Sequence, residues 1–396
     1  MREVAIVGVG MHPWGKFPDR TFVDMGVEAC LKALEDADTE WTDIQELVAG
    51  IWVWGSLSGL NPGPSVAAVL GETGIPITNI FSQCATATDC FRAAYHTIAT
   101  GERDIALAVG LDVSPKGFFS YAANQIHPDP HDTDSLRWKM VGISNPAYWA
   151  MECRKRMEEY GTTERHLAKA KVACSKHGAL NPNAVYRKVY TEEEVLNSAM
   201  ICDPLRMYMI CATRDGAAAA VLCSADRAKK YNAKPITVAA VGHGSSLYGD
   251  PTMVLGTLSA PTPGTAPLIS ESAMSCRMVY EQAGIGPGDI DVVELPDNSS
   301  WHYLQYPETL GFWGPGETER MLEEEATGIG GKLPINPSGG IASFGEAVAA
   351  TGLAQICELV WQLRGEAGAR QVDGAKVGMG QTYGMLGNSA AVILKS

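Results

Sequence analysis

The strongest constraint on the fold is a pattern that the chain runs through twice. The first pass is the strand-like "EVAIVGVG", then "FVDMGVEACLKALEDAD" with apolar residues at helical spacing, then "DIQELVAGIW" as another strand. The second is "KPITVAAVGHG", "SESAMSCRMVYEQAG" and "DIDVVELPD". Each pass switches from a period of two to one near 3.6 and back. The parallel continues: "IFSQCATATDCFRAAYHTIATGERDIALAVGLD" puts a helix after a short apolar strand, and "INPSGGIASFGEAVAATGLAQICELVWQLRG" reads as another such helix before "AKVGMGQTYGMLGNSAAVILKS". Apolar strands alternating with helices indicate an α/β fold with mixed or parallel sheets covered by helices. Residues 1–114 form the first part of an N-terminal half. Residues 115–200, richer in charge, aromatics and helix, are an excursion of the kind that supplies a lid or cofactor clamp. Strand grammar resumes at "ATRDGAAAAVLCS", so 201–232 complete that half and 233–396 form the second.

Composition narrows the function. A net charge of −14 with no offsetting Lys/Arg stripe argues against nucleic-acid and anionic-membrane partners, while leaving room for a local basic patch against a phosphorylated cofactor. The ten cysteines lie far apart, with no C-x-x-C and no Cys/His ligand spacing. Neither a disulfide framework nor a metal site in this chain is expected, and a reducing cytoplasm is the natural compartment. "MREVAIVGVGMHPW" has too short an apolar run for a signal peptide, and no stretch reaches the ~20 apolar residues of a membrane span. A soluble protein is expected.

Two residues carry the chemistry. Cys84, in "SQCATATDC", stands between a strand-like and a helical stretch. A thiol there meets free N–H groups and the positive end of a helix, which favours thiolate and suits a nucleophile. The plain alternative is a small buried cysteine capping a core helix. Glu346 is the one charge between Lys332 and Glu358, in "PSGGIASFGEAVAATGLAQ". Burying a lone carboxylate costs several kcal/mol unless it is paired, hydrogen-bonded or protonated. It serves either as a base or acid, or structurally, paired with an arginine or capping the following helix.

The stretch around Cys84, the "DGAAAAVL" strand, the "NPSGG" turn and "ATGLAQICELVWQLRGEAGARQV" together resemble the thiolase superfamily, closest to its sterol-carrier-protein type and bacterial thiolase-like subunits. That resemblance spans nearly the whole chain. It implies a homodimer of two similar α/β halves, each subunit a five-layered α-β-α-β-α sandwich with a loop domain that helps hold coenzyme A. Cys84 falls where such enzymes carry the cysteine that becomes acylated. The chain departs from the family at three places. Gly345, Glu346 and Ala347 stand where Gly-His-Pro is usual. Pro296, Asp297, Asn298 and Ser299 replace His-Asp-Cys-Phe, removing the second catalytic cysteine. The C-terminal Cys-x-Gly is missing, with "GMGQTYGMLGN" in its region.

Three readings follow from the resemblance. The first is thiolytic cleavage of a 3-oxoacyl-CoA through acyl-Cys84, with Glu346 as base and coenzyme A as substrate. Asn298 then stabilises an enolate oxygen, Tyr383, His302 or a water handles the Cα proton, and backbone donors including Gly387 hold the oxyanion. The second is a thiolase-like retro-aldolase acting on a CoA-activated side chain. Such enzymes rely on tyrosines near the two exchanged places, and Tyr303, Tyr306 and Tyr383 are the ones at hand. The persistence of Cys84 favours thiolysis. The third is a non-catalytic scaffold subunit. An aromatic acyl group such as that of benzoylsuccinyl-CoA suits the nine tryptophans, with Trp52, Trp54, Trp149, Trp301 and Trp313 near the expected pocket or loops. Trp301 and Arg214 are the substrate-binding candidates, Arg214 for a carboxylate if it is not paired with Asp215 or Glu346. A small OB-fold, zinc-ribbon partner subunit is implied, any metal belonging to it.

Overall fold

The strand Asp215–Ser224, "DGAAAAVLCS", is buried along its whole length. Its side chains alternate between two separate cores: Ala218, Ala220 and Leu222 face one, Ala217, Ala219, Val221 and Cys223 the other. A strand covered on both faces has no polar side, and here close-packed helices on each face hold most of it to alanine size. The rest of the architecture is arranged around this strand.

A computed structural model describes residues 1–52, 61–114, 144–231, 234–245, 270–384 and 387–396. Trp54 and residues 115–143 of the expected excursion lie outside the described residues. In chain order the strands are β1 (Val4–Gly15), β2 (Leu47–Ile51), β3 (Ile77–Ile80), β4 (Ile105–Asp112), β5 (Met200–Cys202), β6 (Leu205–Arg206), β7 (Asp215–Ser224), β8 (Ile236–Ser245), β9 (Val292–Glu294), β10 (Val377–Gly384) and β11 (Asn388–Lys395). Nine of them form one mixed sheet in the order β3-β2-β4-β7-β1-β8-β11-β10-β9, while β5 and β6 make a small hairpin. In the first half β3, β2 and β4 are parallel, and β7 runs antiparallel to both β4 and β1. In the second, β9 is parallel to β10, and β11 is antiparallel to β10 and β8. Within the sheet, among the described residues, the halves join through two residue pairs of β1 and β8, Ala5 with Thr237 and Ile6 with Ile236.

Three cores define five layers. The helix Phe22–Asp36 covers one face of the first half, packing Met25, Ala29 and Leu34 against Val109 and Val221. Helices Thr86–Thr100 and Thr351–Arg364 fill the middle, between Ala220 and Leu222 of one half and Val238 and Val392 of the other. The helix Glu271–Ala283 closes the far side, with Cys276 and Val279 against Ala391 and Ile393. The α-β-α-β-α sandwich expected from the resemblance is thus present.

One expectation is corrected. "GGIASFGEAVAATG" is not continuous with the following helix. A short helix, Gly340–Phe344, stops at Gly345, and the long one starts at Thr351. Gly345 has φ +77°, and a Cβ there would lie 2.4 Å from Arg214 Cγ and 2.7 Å from the Ala212 carbonyl. Both its conformation and its crowding demand glycine. Glu346 therefore occupies the break.

The central helices touch at Gly352, where a Cβ would come within 2.0 Å of Thr88 Oγ1 and 2.8 Å of the Thr88 backbone nitrogen. Gly352→Ala is expected to lower unfolding free energy by about 1–3 kcal/mol in urea titrations. Gly288→Ala, whose added methyl meets nothing within 4 Å, is the control and should stay within about 0.5 kcal/mol of the parent.

Candidate active site

The turn carrying Cys84 is built by its neighbours. Strand β3 ends at Ile80, and Gln83, at φ +54°, turns the chain sharply before the short 3-10 turn Gln83–Ala85 and the helix Thr86–Thr100. A side chain other than glycine in the left-handed region carries strain that surrounding contacts must hold. Thr86 does so: its hydroxyl accepts from Ser82 N (2.8 Å) and donates to the Gln83 carbonyl (2.6 Å). Cys84 emerges only partly exposed.

Glu346, 2% exposed, faces it from the helix break. Main-chain bonds fix its backbone beside the segment that leads into β7: Glu346 N donates to the Ala212 carbonyl and Arg214 N to the Glu346 carbonyl, both at 2.8 Å. Its side chain receives three donors. Cys84 Sγ lies 3.2 Å from Oε1, Cys211 Sγ lies 3.5 Å from Oε2, and the Asn298 amide also bonds the carboxylate. Among the described residues no Lys, Arg or His lies within ion-pair distance of it. The arginine pairing considered for Glu346 is therefore not what holds it.

Burial pushes the Glu346 carboxyl above its ordinary range, against the lowering effect of the two thiols and Asn298. Burial first, and then the facing Glu346 carboxylate, push the Cys84 thiol well above its ordinary value. Desolvation and the facing carboxylate thus act against the resting thiolate expected at the helix N-terminus. The proton rests on sulfur, pointed at a carboxylate that can receive it.

The other anticipated residues fall into two groups. Asn298, His302, Trp301 and Tyr383 come together near the pair. Asn298 is committed to Glu346 and Cys211. His302 is buried, and burial lowers it to about 3; Ser299 N and Oγ reach its Nδ1 at 3.1 and 2.8 Å. It caps its helix through Nδ1, and burial keeps the ring neutral and makes it a weak base. Around it runs an aromatic layer: Trp149 and Trp301 edge-on at 5.0 and 4.6 Å, Tyr306 stacked at 5.7 Å, and Tyr383 at 6.4 Å. The Tyr306 and Tyr383 hydroxyls are held neutral chiefly by burial, and both lie close enough to feel charge on Cys84. Tyr303 sits fully buried in the helix Ser300–Thr309, which also carries His302 and Tyr306. Gly387, at φ +79°, lies in the turn between β10 and β11, which meets the Cys84 turn where Ser82 Oγ approaches Asn388 Oδ1 at 3.4 Å.

Arg214 pairs with neither Asp215 nor Glu346. Asp215 is taken by Lys16 at 2.8 Å, and the Arg214 guanidinium lies 5.0 Å over the Tyr186 ring while donating to the Tyr186 hydroxyl and to the Thr213 carbonyl (2.8 Å). Trp52 packs on Phe81 at 5.5 Å. Two residues escape a reading of the sequence. Cys211 is one of ten cysteines, in the plain stretch "YMICATRDG"; only its place just before the most buried strand sets it apart. Asp112, wholly buried at the end of "IALAVGLD", accepts from Ala349 N at 3.3 Å and so holds the loop after Glu346. A lone carboxylate closing an apolar strand is the available signal. Among the described residues no group of three or more His, Cys, Asp or Glu is arranged for a metal ion, and no helix is long and apolar enough to cross a membrane.

Comparison with known proteins places this geometry in context. The description "Thiolase, N-terminal domain" matches residues 4–226, and "Thiolase C-terminal domain-like" matches 264–396. The chain is 36% identical to an acetyl-CoA acetyltransferase of Methanothermobacter thermautotrophicus, covering 99% of both chains. It is 36% identical to sterol carrier protein 2 of Bos taurus over 99% of this chain and 72% of that one. With benzoylsuccinyl-CoA thiolase subunit BbsB of Thauera aromatica it shares 31% identity over 94% of this chain and 92% of the relative. A solved structure, the Ltp2-ChsH2(DUF35) aldolase, matches with TM-score 0.82 at 25% identity over 100% of this chain and 98% of its own.

The Glu346 environment has a consequence for stability. A carboxyl whose folded pKa is raised penalises the fold once pH rises from its unfolded value through the folded one. Glu346→Gln is therefore expected to be more stable than the parent at pH 8, with the difference narrowing toward pH 4, in urea titrations at the two pH values. A variant less stable at pH 8 than at pH 4, relative to the parent, contradicts the assignment.

Proposed function

The chain belongs to the thiolase family and is an acyl-CoA acyltransferase of that type, and from that premise we propose that it cleaves a 3-oxoacyl-CoA by thiolysis through an acyl-Cys84 intermediate. The observation that carries the proposal is the 3.2 Å contact of Cys84 Sγ with Oε1 of a Glu346 that no cation neutralises among the described residues. A thiol and a buried carboxylate at hydrogen-bond distance supply a nucleophile and its base without histidine.

Sulfur attacks the β-keto carbon as its proton passes to Glu346. The oxyanion rests on backbone N–H groups, those of the glycine turn at Gly387 included. The Cα–Cβ bond breaks, leaving acyl-Cys84 and the enolate of the shortened thioester, whose carbon takes a proton from Glu346, with the neutral Tyr383 hydroxyl as the relay. An incoming coenzyme A thiol then gives its proton to Glu346 and attacks acyl-Cys84; the C–S bond to Cys84 breaks, the released sulfur takes that proton back from Glu346, and the acyl group leaves as the second thioester. No net proton is consumed. Asn298 serves as a holder of the base, since its amide is already engaged there.

An aryl acyl group is the proposed substrate class, benzoylsuccinyl-CoA among its members. Support comes from the aromatic layer of Trp149, Trp301, Tyr306 and Tyr383 beside the pair, and from likeness to BbsB. Arg214, with no carboxylate partner among the described residues, is proposed for a substrate carboxylate. A homodimer is proposed from the edge position of β3 and the exposed Phe81 beside it (56%). A small OB-fold, zinc-ribbon partner is proposed from two relatives whose names describe a subunit or a two-component assembly. Retro-aldol cleavage is the second reading, favoured by Tyr306 and Tyr383 beside Cys84 and by the aldolase match.

Intact-protein mass spectrometry after mixing with 3-oxoacyl-CoA substrates and the partner subunit tests the choice. An acyl adduct lost in Cys84→Ser is the expected result, together with a fall in thiolysis of about 10²–10⁴-fold in Glu346→Gln. Cleavage without coenzyme A and without an adduct would establish the aldolase instead.

A further inference from the structure

The base is held by a residue that lies far from both partners in sequence. A carboxylate is a terminal sp³–sp² group with a broad torsional well, so its orientation is set by its partners and not by its own rotamer. Glu346 has a thiol donor on each oxygen, and the thiol on Oε2 is Cys211. Cys211 is itself placed by its backbone N–H on the Asn298 carbonyl (2.8 Å), and Asn298 reaches both Cys211 and Glu346 with its side chain. The same segment carries the two main-chain bonds through Ala212 and Arg214 that fix Glu346. Residues 211–214 thus grip Glu346 by backbone and by side chain together.

We propose that Cys211 is a positioning residue for the base, occupying Oε2 of Glu346 so that Oε1 is aimed at Cys84. This inference rests on the reading of Glu346 as the base toward Cys84. A thiol suits that role because it is a weak donor in an apolar setting, giving direction without a competing charge. Desolvation, helped by the facing Glu346, keeps Cys211 itself protonated. The groups that face Glu346 are Cys84 from the Gln83–Ala85 turn, Cys211 from the segment before β7, and Asn298 and Asp297 from the segment after β9; charge on Asp112 at the end of β4 is also felt. Cys211 additionally lines a small, partly open cleft with Lys171, Cys174, Asp297 and Tyr303.

Removing the Oε2 donor makes the carboxylate easier to protonate, so the site loses its base at a higher pH. The measurement is the pH profile of Cys84 alkylation by iodoacetamide, read by peptide mass spectrometry, beside the pH profile of kcat/KM. In Cys211→Ala the acid limb of both is expected to move up by at least half a pH unit, about threefold in rate at a fixed acidic pH. Cys211→Ser, which keeps a donor, should restore it. Cys211→Val, which fills the space without donating, should behave as Cys211→Ala and stands in for it if that variant does not fold. An unmoved acid limb in the donor-free variants, or a serine variant indistinguishable from them, overturns the proposal. The alkylation arm needs no acyl transfer: a shifted alkylation limb with no acyl adduct on Cys84 keeps the role of Cys211 and rejects thiolysis.

Discussion

A carboxylate removed from water, with no cation beside it among the described residues, is the constraint on which this site depends. Leaving Glu346 bare in its buried position would cost several kcal/mol. Two thiols and an amide offset part of that cost, and each comes from a different part of the chain: Cys84 from the turn before the first central helix, Cys211 from the entry to β7, Asn298 from the segment after β9. The fold must bring all three to one point. Five layers meeting at two central helices accomplish it, because those helices start at the same level of the sandwich and each is preceded by one member of the pair.

The sequence reveals the frame more completely than the site. The alternation in "EVAIVGVG" and "KPITVAAVGHG" and the helical spacing in "FVDMGVEACLKALEDAD" are readable because burial on one face or stripe leaves a period in the residues. Glu346 is readable for the opposite reason, as a charge where the pattern allows none. The break that presents it is not, since "SFGEAVAATG" has helical composition and Gly345 reveals its role only through contact with Arg214 and Ala212. Cys211 and Asp112 stay hidden because their significance is a matter of proximity across more than a hundred residues.

The thiol's charge state shows where local reasoning stops. A cysteine before a helix invites the thiolate reading, and the helix Thr86–Thr100 is there. Burial and the facing carboxylate act in the other direction and prevail. Both influences favour a neutral thiol, with its sulfur 3.2 Å from Oε1 of the carboxylate proposed to take its proton. His302 illustrates the same lesson: an attractive acid–base residue by type, it lies buried as a helix cap, and that burial lowers it to about 3.

The central claim is that Cys84 and Glu346 share one proton that rests on sulfur. Infrared spectroscopy of the S–H stretch at neutral pH tests it most directly, as the difference between the parent and Cys84→Ser. The account predicts an S–H band shifted by strong hydrogen bonding that moves toward the free-thiol position in Glu346→Gln. Absence of any Cys84 S–H band, or a band that Glu346→Gln leaves in place, would contradict it.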